Sequence, residues 1–152
     1  MAREILSETP KSRRWEDVDP VVTKAMSRVR SKNTGPEMTV RRLVHSMGYR
    51  FRLHRKDLPG TPDLVFPGRR KVIFVNGCFW HGHDAPECRR ARTPKSRKEF
   101  WTAKVARNKT RDARSSDALE TAGWGILTVW ECETAALQDR NKLAETLRRF
   151  LG

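Results

Sequence analysis

Three cysteines and one histidine are the residues whose types and spacing most clearly predict a chemistry. Cys78, His83 and Cys88 lie within an eleven-residue segment, and Cys132 follows directly after a later apolar run. Three sulfurs and one imidazole make a complete ligand set for a structural zinc ion. The alternative is a set of inert thiols beside an unrelated histidine, because cysteine is often simply a small core residue.

Asp63 and His81 are the side chains that suit acid, base or cation chemistry. His81 lies two residues before His83, and a histidine beside such a loop can act as a general acid or base. Asp63 follows the turn Leu58-Pro59-Gly60-Thr61-Pro62 and begins a short apolar run. A carboxylate at a strand end suits a hard cation such as Mg²⁺, which prefers oxygen ligands. The alternative for Asp63 is a turn aspartate that caps its own backbone, so this residue alone does not predict an enzyme.

The chain carries a large excess of positive charge. Its 152 residues include 32 Lys and Arg against 18 Asp and Glu, which gives a formal net charge of +14. The excess is densest over residues 89–114, where eleven basic side chains are interleaved with Phe100 and Trp101 and accompanied only by Glu99 and Asp112. Such a segment predicts a surface that follows a nucleic-acid phosphate backbone. A solvated helix face is the alternative.

A small number of elements must position these residues. A helix-start signal at residues 33–37 and the later Gly48 predict a first helix, with Leu43, Val44 and Met47 facing the core. Ser96 and Glu99 match a capping box at the start of a long helix that ends near Gly123. The remaining predictions are strands over residues 50–55, 63–66, 71–75 and 124–130, and a last helix over residues 139–150.

The order α-β-β-β-α-β-α predicts an α/β domain with a mixed central sheet flanked by helices. The long connection between the third and fourth strands suits a parallel crossover. The continuous apolar run of residues 71–75 predicts a central strand that is buried on both faces. Neighbouring parallel strands would bring Cys78 and Cys132 together, so that zinc would tie the loop to the sheet.

Length and composition predict a flexible arm over residues 1–20 and a single folded domain over residues 21–152, which begins with a short basic helix. A hydrophobic content of 37% supports one modest core. No segment has the ~20 consecutive apolar residues of a membrane-spanning helix, and the N-terminus lacks a signal-peptide pattern. We therefore expect a cytoplasmic protein that does not bind membranes.

Several motifs occur together in one order along the chain. They are residues 26–34 (MSRVRSKNT), Glu37, residues 58–63 (LPGTPD), residues 74–83 (FVNGCFWHGH), Phe100-Trp101 and residues 124–132 (WGILTVWEC). Over residues 22–150 they resemble the very-short-patch repair endonucleases, a branch of the restriction-endonuclease-like nucleases. The resemblance implies that the protein nicks the strand 5′ to the thymine of T:G mismatches in double-stranded DNA, which arise when 5-methylcytosine deaminates. It also implies a monomer in the bacterial nucleoid with a functional link to a DNA cytosine methyltransferase.

The resemblance assigns roles at the reaction centre. Asp63 resembles the carboxylate that binds two Mg²⁺ ions, with the Val75 carbonyl as a further ligand. His81 resembles the base that activates the attacking water, and Glu37 resembles a supporting acid that reaches the metal shell through water. Asn76 stands where the general restriction-like pattern has a charged residue, and it can donate a hydrogen bond to a phosphate oxygen but carries no charge. One Zn²⁺ would be held by the family's structural ligands, which match Cys78, His83, Cys88 and Cys132, with a longer insert after His83.

The resemblance also implies residues that contact DNA. Phe79, Trp80 and Trp101 resemble aromatic side chains that wedge into the base stack beside the mismatch, with core packing as the alternative. Met26 would enter from the other groove, and Arg30 and Lys32 belong to the same N-terminal motif. Lys104 and Asn108 resemble residues that touch the mismatched bases.

Two other functions remain open at this point. One is a strand-nicking or restriction-type endonuclease of the same fold with a different sequence specificity. The other is a zinc-stapled DNA-binding module without catalysis, which has no need for both Asp63 and His81.

Overall fold

The computed structural model describes residues 32–152, so the predicted arm and the basic helix over residues 21–30 lie outside the described residues. In the described part, the predicted order α-β-β-β-α-β-α is confirmed. The elements are α1 (Gly35–Ser46), β1 (Arg52–Leu53), β2 (Leu64–Phe66), β3 (Lys71–Asn76), α2 (Lys98–Thr121), β4 (Gly125–Trp130) and α3 (Leu137–Leu151).

The four strands form one mixed sheet in the order β1-β2-β3-β4. The pairs β1–β2 and β2–β3 are antiparallel, whereas β3 and β4 are parallel in a register from Lys71 opposite Gly125 to Asn76 opposite Trp130. The helix α2 makes the parallel crossover, as predicted. Both parallel strands therefore end at the same edge of the sheet, and the residues that follow them emerge there together.

Each face of the sheet is covered by helices. On one face, α1 and α3 contribute Val40, Val44, Leu143, Leu147 and Leu151 to a buried cluster with Leu64, Phe66, Ile73 and Val129. On the other face, Leu119 of α2 packs with Val65 and Val72. Val72 and Ile73 are adjacent and fully buried on opposite faces, which confirms that β3 is a central strand. Val44 is also buried, and Leu43 and Met47 pack against the first cluster as predicted.

Helix α1 begins as its sequence predicts. The Thr34 hydroxyl accepts a hydrogen bond from the Glu37 N–H at 3.3 Å, and proline stands in the first turn. The first strand is shorter than predicted, since only Arg52 and Leu53 pair with β2. It ends where His54 takes a left-handed backbone conformation with φ of 45°.

The capping box predicted at Ser96 and Glu99 is wrong. The residue that caps α2 is Arg97, whose backbone is left-handed with φ of 55° and whose side chain makes no capping bond. Ser96 therefore lies one residue too early to cap the first turn. From Lys98 the helix runs for 24 residues without a break, and exposed basic side chains lie along it, as predicted. Among residues 32–152, no helix has both the length and the apolar character needed to cross a membrane.

Candidate active site and metal centre

A polar cavity of about 240 Å³ lies between the end of β3, the turn before β2 and the middle of α2. Four predicted site residues line it, namely Asp63, Val75, Asn76 and His81. They come from separate segments, which the β2–β3 pairing and the loop after β3 bring together. The other lining residues are Gly60, Thr61, Phe74, Asp112, Ser115, Ser116 and Thr128.

Asp63 lies directly before β2, and its side chain reaches across to the neighbouring strand. Its Oδ2 accepts a hydrogen bond from the Val75 N–H at 2.7 Å, and the side chain is 19% exposed. Burial raises the pKa of Asp63 to about 6, and the negative charge of Glu37 adds to the increase, whereas the Val75 N–H, His54 and His81 lower it. A carboxyl of this kind binds protons near neutrality, so a cation held there would compete with protons.

Glu37 lies beside Asp63 and is 2% exposed. Its Oε1 contacts the Arg41 guanidinium and lies 2.5 Å from His54 Nε2, while its Oε2 accepts a hydrogen bond from the Asn33 N–H at 3.0 Å. His54 Nε2 is also 3.9 Å from Asp63 Oδ1. One ligand atom from each of Glu37, His54 and Asp63 lies within 4.8 Å of the other two. Two carboxylates and an imidazole thus converge, and Asp63 is the member of this group that lines the cavity.

His81 enters the cavity from the loop after β3, where its N–H bonds to the Gly77 carbonyl at 3.1 Å. Its Nδ1 lies 2.6 Å from Asp112 Oδ2 on α2. Because a carboxylate can only accept, this pair places a hydrogen on Nδ1 and leaves Nε2 of a neutral ring free to accept a proton. The geometry suits a general base.

Two of these residues, His54 and Asp112, were not predicted. Asp112 is one of the two acidic residues in the basic segment 89–114. An acidic side chain among so many basic ones could have marked it as a candidate site residue. His54 directly follows β1, which pairs with β2, and its backbone N–H donates to the Asp63 carbonyl at 3.3 Å. Pairing of the two predicted strands would have placed it there.

Cys78, His83, Cys88 and Cys132, here called the Cys/His cluster, meet beyond the ends of β3 and β4. One ligand atom from each lies within 4.8 Å of the others, and Cys132 Sγ is 3.6 Å from His83 Nδ1. The His83 ring stacks on Trp130 with centroids 4.2 Å apart. The three cysteines are free thiols, and burial raises the pKa of Cys78 to about 12.

These four residues fit a zinc ion. Zinc–sulfur bonds of about 2.3 Å require ligand sulfurs less than 5 Å apart, which the cluster satisfies. A buried thiol with so high a pKa keeps its proton near neutrality unless a metal displaces it. The predicted convergence of the four residues is thus found, and the zinc itself stays a prediction.

Phe79, Trp80, Phe100 and Trp101 form an aromatic cluster beside the loop after β3. Trp101 packs edge to face on Phe79, Trp80 and Phe100 with centroids 5.7, 6.1 and 4.9 Å away. Its side chain is only 1% exposed, which differs from the prediction that Trp101 wedges into DNA. It packs against Phe79 and Trp80, and these two side chains remain partly exposed.

The residues predicted to touch bases lie next to this aromatic cluster. Lys104 Nζ lies 5.3 Å from the centre of the Trp80 ring, and Asn108 Nδ2 donates to the Trp80 carbonyl at 2.8 Å. The Asn108 Oδ1 in turn accepts from Arg111. Lys32 is exposed, whereas Met26 and Arg30 lie outside the described residues.

Comparison with known proteins identifies the family. The family model described as DNA mismatch endonuclease Vsr matches residues 19–87. The type II nicking enzyme V.XorIIP of Xanthomonas oryzae is 56% identical over 126 residues, which cover 83% of this chain and 88% of that protein. The DNA mismatch endonuclease Vsr of Escherichia coli is 39% identical over 123 residues, covering 81% and 75% of the two chains. With such identity over most of both chains, the protein belongs to the Vsr family of DNA mismatch endonucleases and is an enzyme that cleaves DNA phosphodiester bonds.

Proposed function

We propose that this endonuclease nicks DNA 5′ to the thymine of T:G mismatches, in a reaction that depends on Mg²⁺, and so starts the repair of deaminated 5-methylcytosine. The observation that carries the proposal is the meeting of Asp63 and His81 in one polar cavity. Asp63 is suited to bind a cation and His81 to accept a proton, and hydrolysis of a phosphodiester uses both functions. The name of the E. coli relative supports a mismatch as the substrate.

In this proposal Asp63 and the Val75 carbonyl hold the cations, and Glu37 supports them through water. Two Mg²⁺ ions, when bound, would stabilise the charge that develops on the attacking and leaving oxygens. His81 takes a proton from the attacking water at Nε2 while Asp112 holds Nδ1 and stabilises the imidazolium that forms. Asn76 lines the same cavity and is suited to donate a hydrogen bond to a phosphate oxygen.

Recognition of the mismatch is assigned to the surface beside the cavity. Phe79 and Trp80 are partly exposed and pack against the buried Trp101, which suits them to enter a base step. Unstacking a step costs a few kcal/mol, and a mispaired step is cheaper to open than a matched one. Lys104 and Asn108 both contact Trp80, which supports their assignment to the opened bases. The excess of Lys and Arg supplies affinity for phosphates without reading sequence.

A single Zn²⁺ in the Cys/His cluster has a structural role in the proposal. Protein ligands would fill all four coordination positions of the ion, which is typical of structural zinc and would leave no open position for a substrate. The ion would tie the loop that carries Phe79, Trp80 and His81 to the end of β4. We also expect a monomer that acts in the cytoplasm, on DNA methylated by a cytosine methyltransferase.

A second candidate keeps the reaction and changes the specificity. The V.XorIIP relative, at 56% identity, is named a type II nicking enzyme, as is V.NmeAIP of Neisseria meningitidis at 36% identity. A nicking enzyme dedicated to one sequence context is therefore the alternative. A binding module without catalysis is no longer an alternative, because the family is one of endonucleases.

The test is a nicking assay on end-labelled duplexes that carry each mismatch in several flanking sequences, with and without Mg²⁺. Wild-type protein is expected to nick only the T strand of T:G duplexes, and Asp63→Ala is expected to be inactive. Asp57→Ala is the matched control, because Asp57 is exposed and pairs only with Arg55 among the described residues. Equal activity of Asp63→Ala and wild type would remove Asp63 from the mechanism, and nicking of matched duplexes would favour the second candidate.

A further inference from the structure

His54 occupies a position between the two carboxylates of the site that the proposed function leaves unexplained. Its Nε2 is 2.5 Å from Glu37 Oε1 and 3.9 Å from Asp63 Oδ1. Its backbone N–H also donates to the Asp63 carbonyl. Both the side chain and the main chain of one residue thus connect helix α1 to the residue that is proposed to hold the cation.

The backbone of His54 is left-handed, with φ of 45°. Residues other than glycine adopt this region uncommonly, although asparagine, aspartate and histidine do so more often than the rest. Such conformations persist where the surrounding contacts determine them, and they are common at functional sites. The contacts of His54 with Glu37 and Asp63 are the contacts that hold it here.

The chemistry of the pair defines what His54 does. Ionised Glu37 only accepts hydrogen bonds, so the His54 nitrogen that faces it must carry the hydrogen. That nitrogen then has no lone pair to offer to a cation. In this arrangement His54 is a donor to the Glu37 carboxylate and not a metal ligand.

Glu37 needs such a donor because the other charges around it favour a position farther from Asp63. Its Oε1 contacts both Arg41 and His54, and the Asp63 carboxylate lies within 4.8 Å of the same group. Two negative charges at this distance repel each other, and burial strengthens the repulsion. Without the imidazole N–H, the Arg41 guanidinium would draw the Glu37 carboxylate away from Asp63.

We propose that His54 is a positioning residue of the nuclease site, which holds the Glu37 carboxylate against Asp63 so that both face one divalent cation. The inference rests on the proposed function in taking Asp63 as the residue that holds the cation. It adds a residue to the site whose side chain acts through the Glu37 carboxylate and does not bind DNA or metal.

Two uncharged substitutions separate this role from a role in folding. In His54→Gln the amide nitrogen reaches the position of Nε2, so the donor to Glu37 is kept. In His54→Asn the amide nitrogen reaches only the position of Nδ1, so the donor is lost, although asparagine accepts the left-handed backbone better than glutamine does. A role in the backbone alone would favour the asparagine variant, and a role in positioning Glu37 favours the glutamine variant.

Four quantities are measured on wild type and both variants. They are the single-turnover nicking rate of a T:G duplex over a Mg²⁺ series, the dissociation constant for Mn²⁺ without DNA by electron paramagnetic resonance, the melting temperature, and the affinity for the duplex in EDTA. We expect His54→Asn to weaken Mn²⁺ binding and to raise the half-saturating Mg²⁺ concentration by about 10- to 100-fold, the range found for residues that orient metal ligands. We expect His54→Gln to stay within about threefold of wild type, with duplex binding in EDTA equal in all three proteins.

Other outcomes overturn the inference. Cation binding by His54→Asn equal to wild type would show that Glu37 needs no help, and equal losses in both variants would show that the imidazole itself is a ligand or a base. If the melting temperature falls in proportion to the nicking rate in both variants, the role of His54 is to stabilise the fold and not to position Glu37. Failure of the proposed function is separate, since wild-type protein would then leave the T:G duplex intact whatever stands at position 54.

Discussion

Replacing Asp63 by asparagine is expected to abolish nicking and at the same time to stabilise the folded protein at neutral pH. The asparagine Oδ1 can still accept the hydrogen bond that the Val75 N–H donates to Asp63 at 2.7 Å. The substitution therefore removes a buried charge and keeps its main contact. Active sites often hold charged groups at a cost in stability, and such substitutions then separate function from folding.

The size of the effect follows from the pKa of Asp63. Burial raises that pKa from an ordinary value of 3.8 to about 6, which means that ionisation is less favourable in the folded state than in the unfolded state. At about 1.4 kcal/mol for each pH unit between the two values, the ionised carboxylate lowers the free energy of unfolding by about 3 kcal/mol. This loss of stability is absent well below pH 3.8, where the carboxyl is protonated in both the folded and the unfolded state, and it is complete well above pH 6.

Urea unfolding of wild type and Asp63→Asn between pH 4 and pH 8, without added divalent cation, measures this difference. The stability gain of the variant should be small near pH 4 and reach about 3 kcal/mol by pH 7.5. Added Mg²⁺ should stabilise the wild type by about 2.7 kcal/mol at one hundred times its dissociation constant and leave the variant unchanged. Asp57→Asn, at an exposed site, is the control and should change stability by less than about 0.5 kcal/mol.

Two results would refute this reasoning. A variant no more stable than wild type at pH 7.5 would show that the carboxylate is well solvated or well paired. A gain that does not vary with pH would show that asparagine improves packing and that ionisation of Asp63 is not the cause.

Three other predictions concern the rest of the site. His81→Ala should lower the nicking rate about 10²- to 10⁴-fold while zinc content and duplex affinity stay unchanged, and loss of zinc would instead show that His81 and not His83 is a ligand. Cys132→Ser should lose zinc by metal analysis and about 4 kcal/mol of unfolding free energy, whereas a zinc-free wild type with an equally stable variant would contradict the metal centre. Gly60→Ala should lower the free energy of unfolding in urea by about 2 kcal/mol, because Gly60 has φ of +74° and an added Cβ would lie 2.8 Å from Ser115 Cβ. Gly68→Ala is the control and should be neutral, because an added Cβ there meets no atom within 4 Å. Equal stability of the two variants would argue against the close approach at Gly60.

Local patterns explain why most of the fold was predictable. The apolar runs of β3 and β4 and the length of the connection between them determine that these two strands pair in parallel, since a parallel pair needs a long crossover. Once that pairing is known, the meeting of Cys78 with Cys132 follows, because both residues leave the sheet at the same edge. Errors occurred at element ends, as at Ser96 and residues 50–55, where a single left-handed residue decides the boundary.

The sequence by itself therefore determined the order of elements, the mixed sheet, the basic surface, the family and the convergence of Asp63, His81 and the Cys/His cluster. Only the tertiary structure decided how these groups are held. Asp112 pairs with His81 across 31 positions of the chain, and His54 meets Glu37 across 17. It also decided that Trp101 is buried beneath Phe79 and Trp80. Hydrogen-bond partners and burial depend on which faces of distant elements meet, and no local period or spacing encodes that contact.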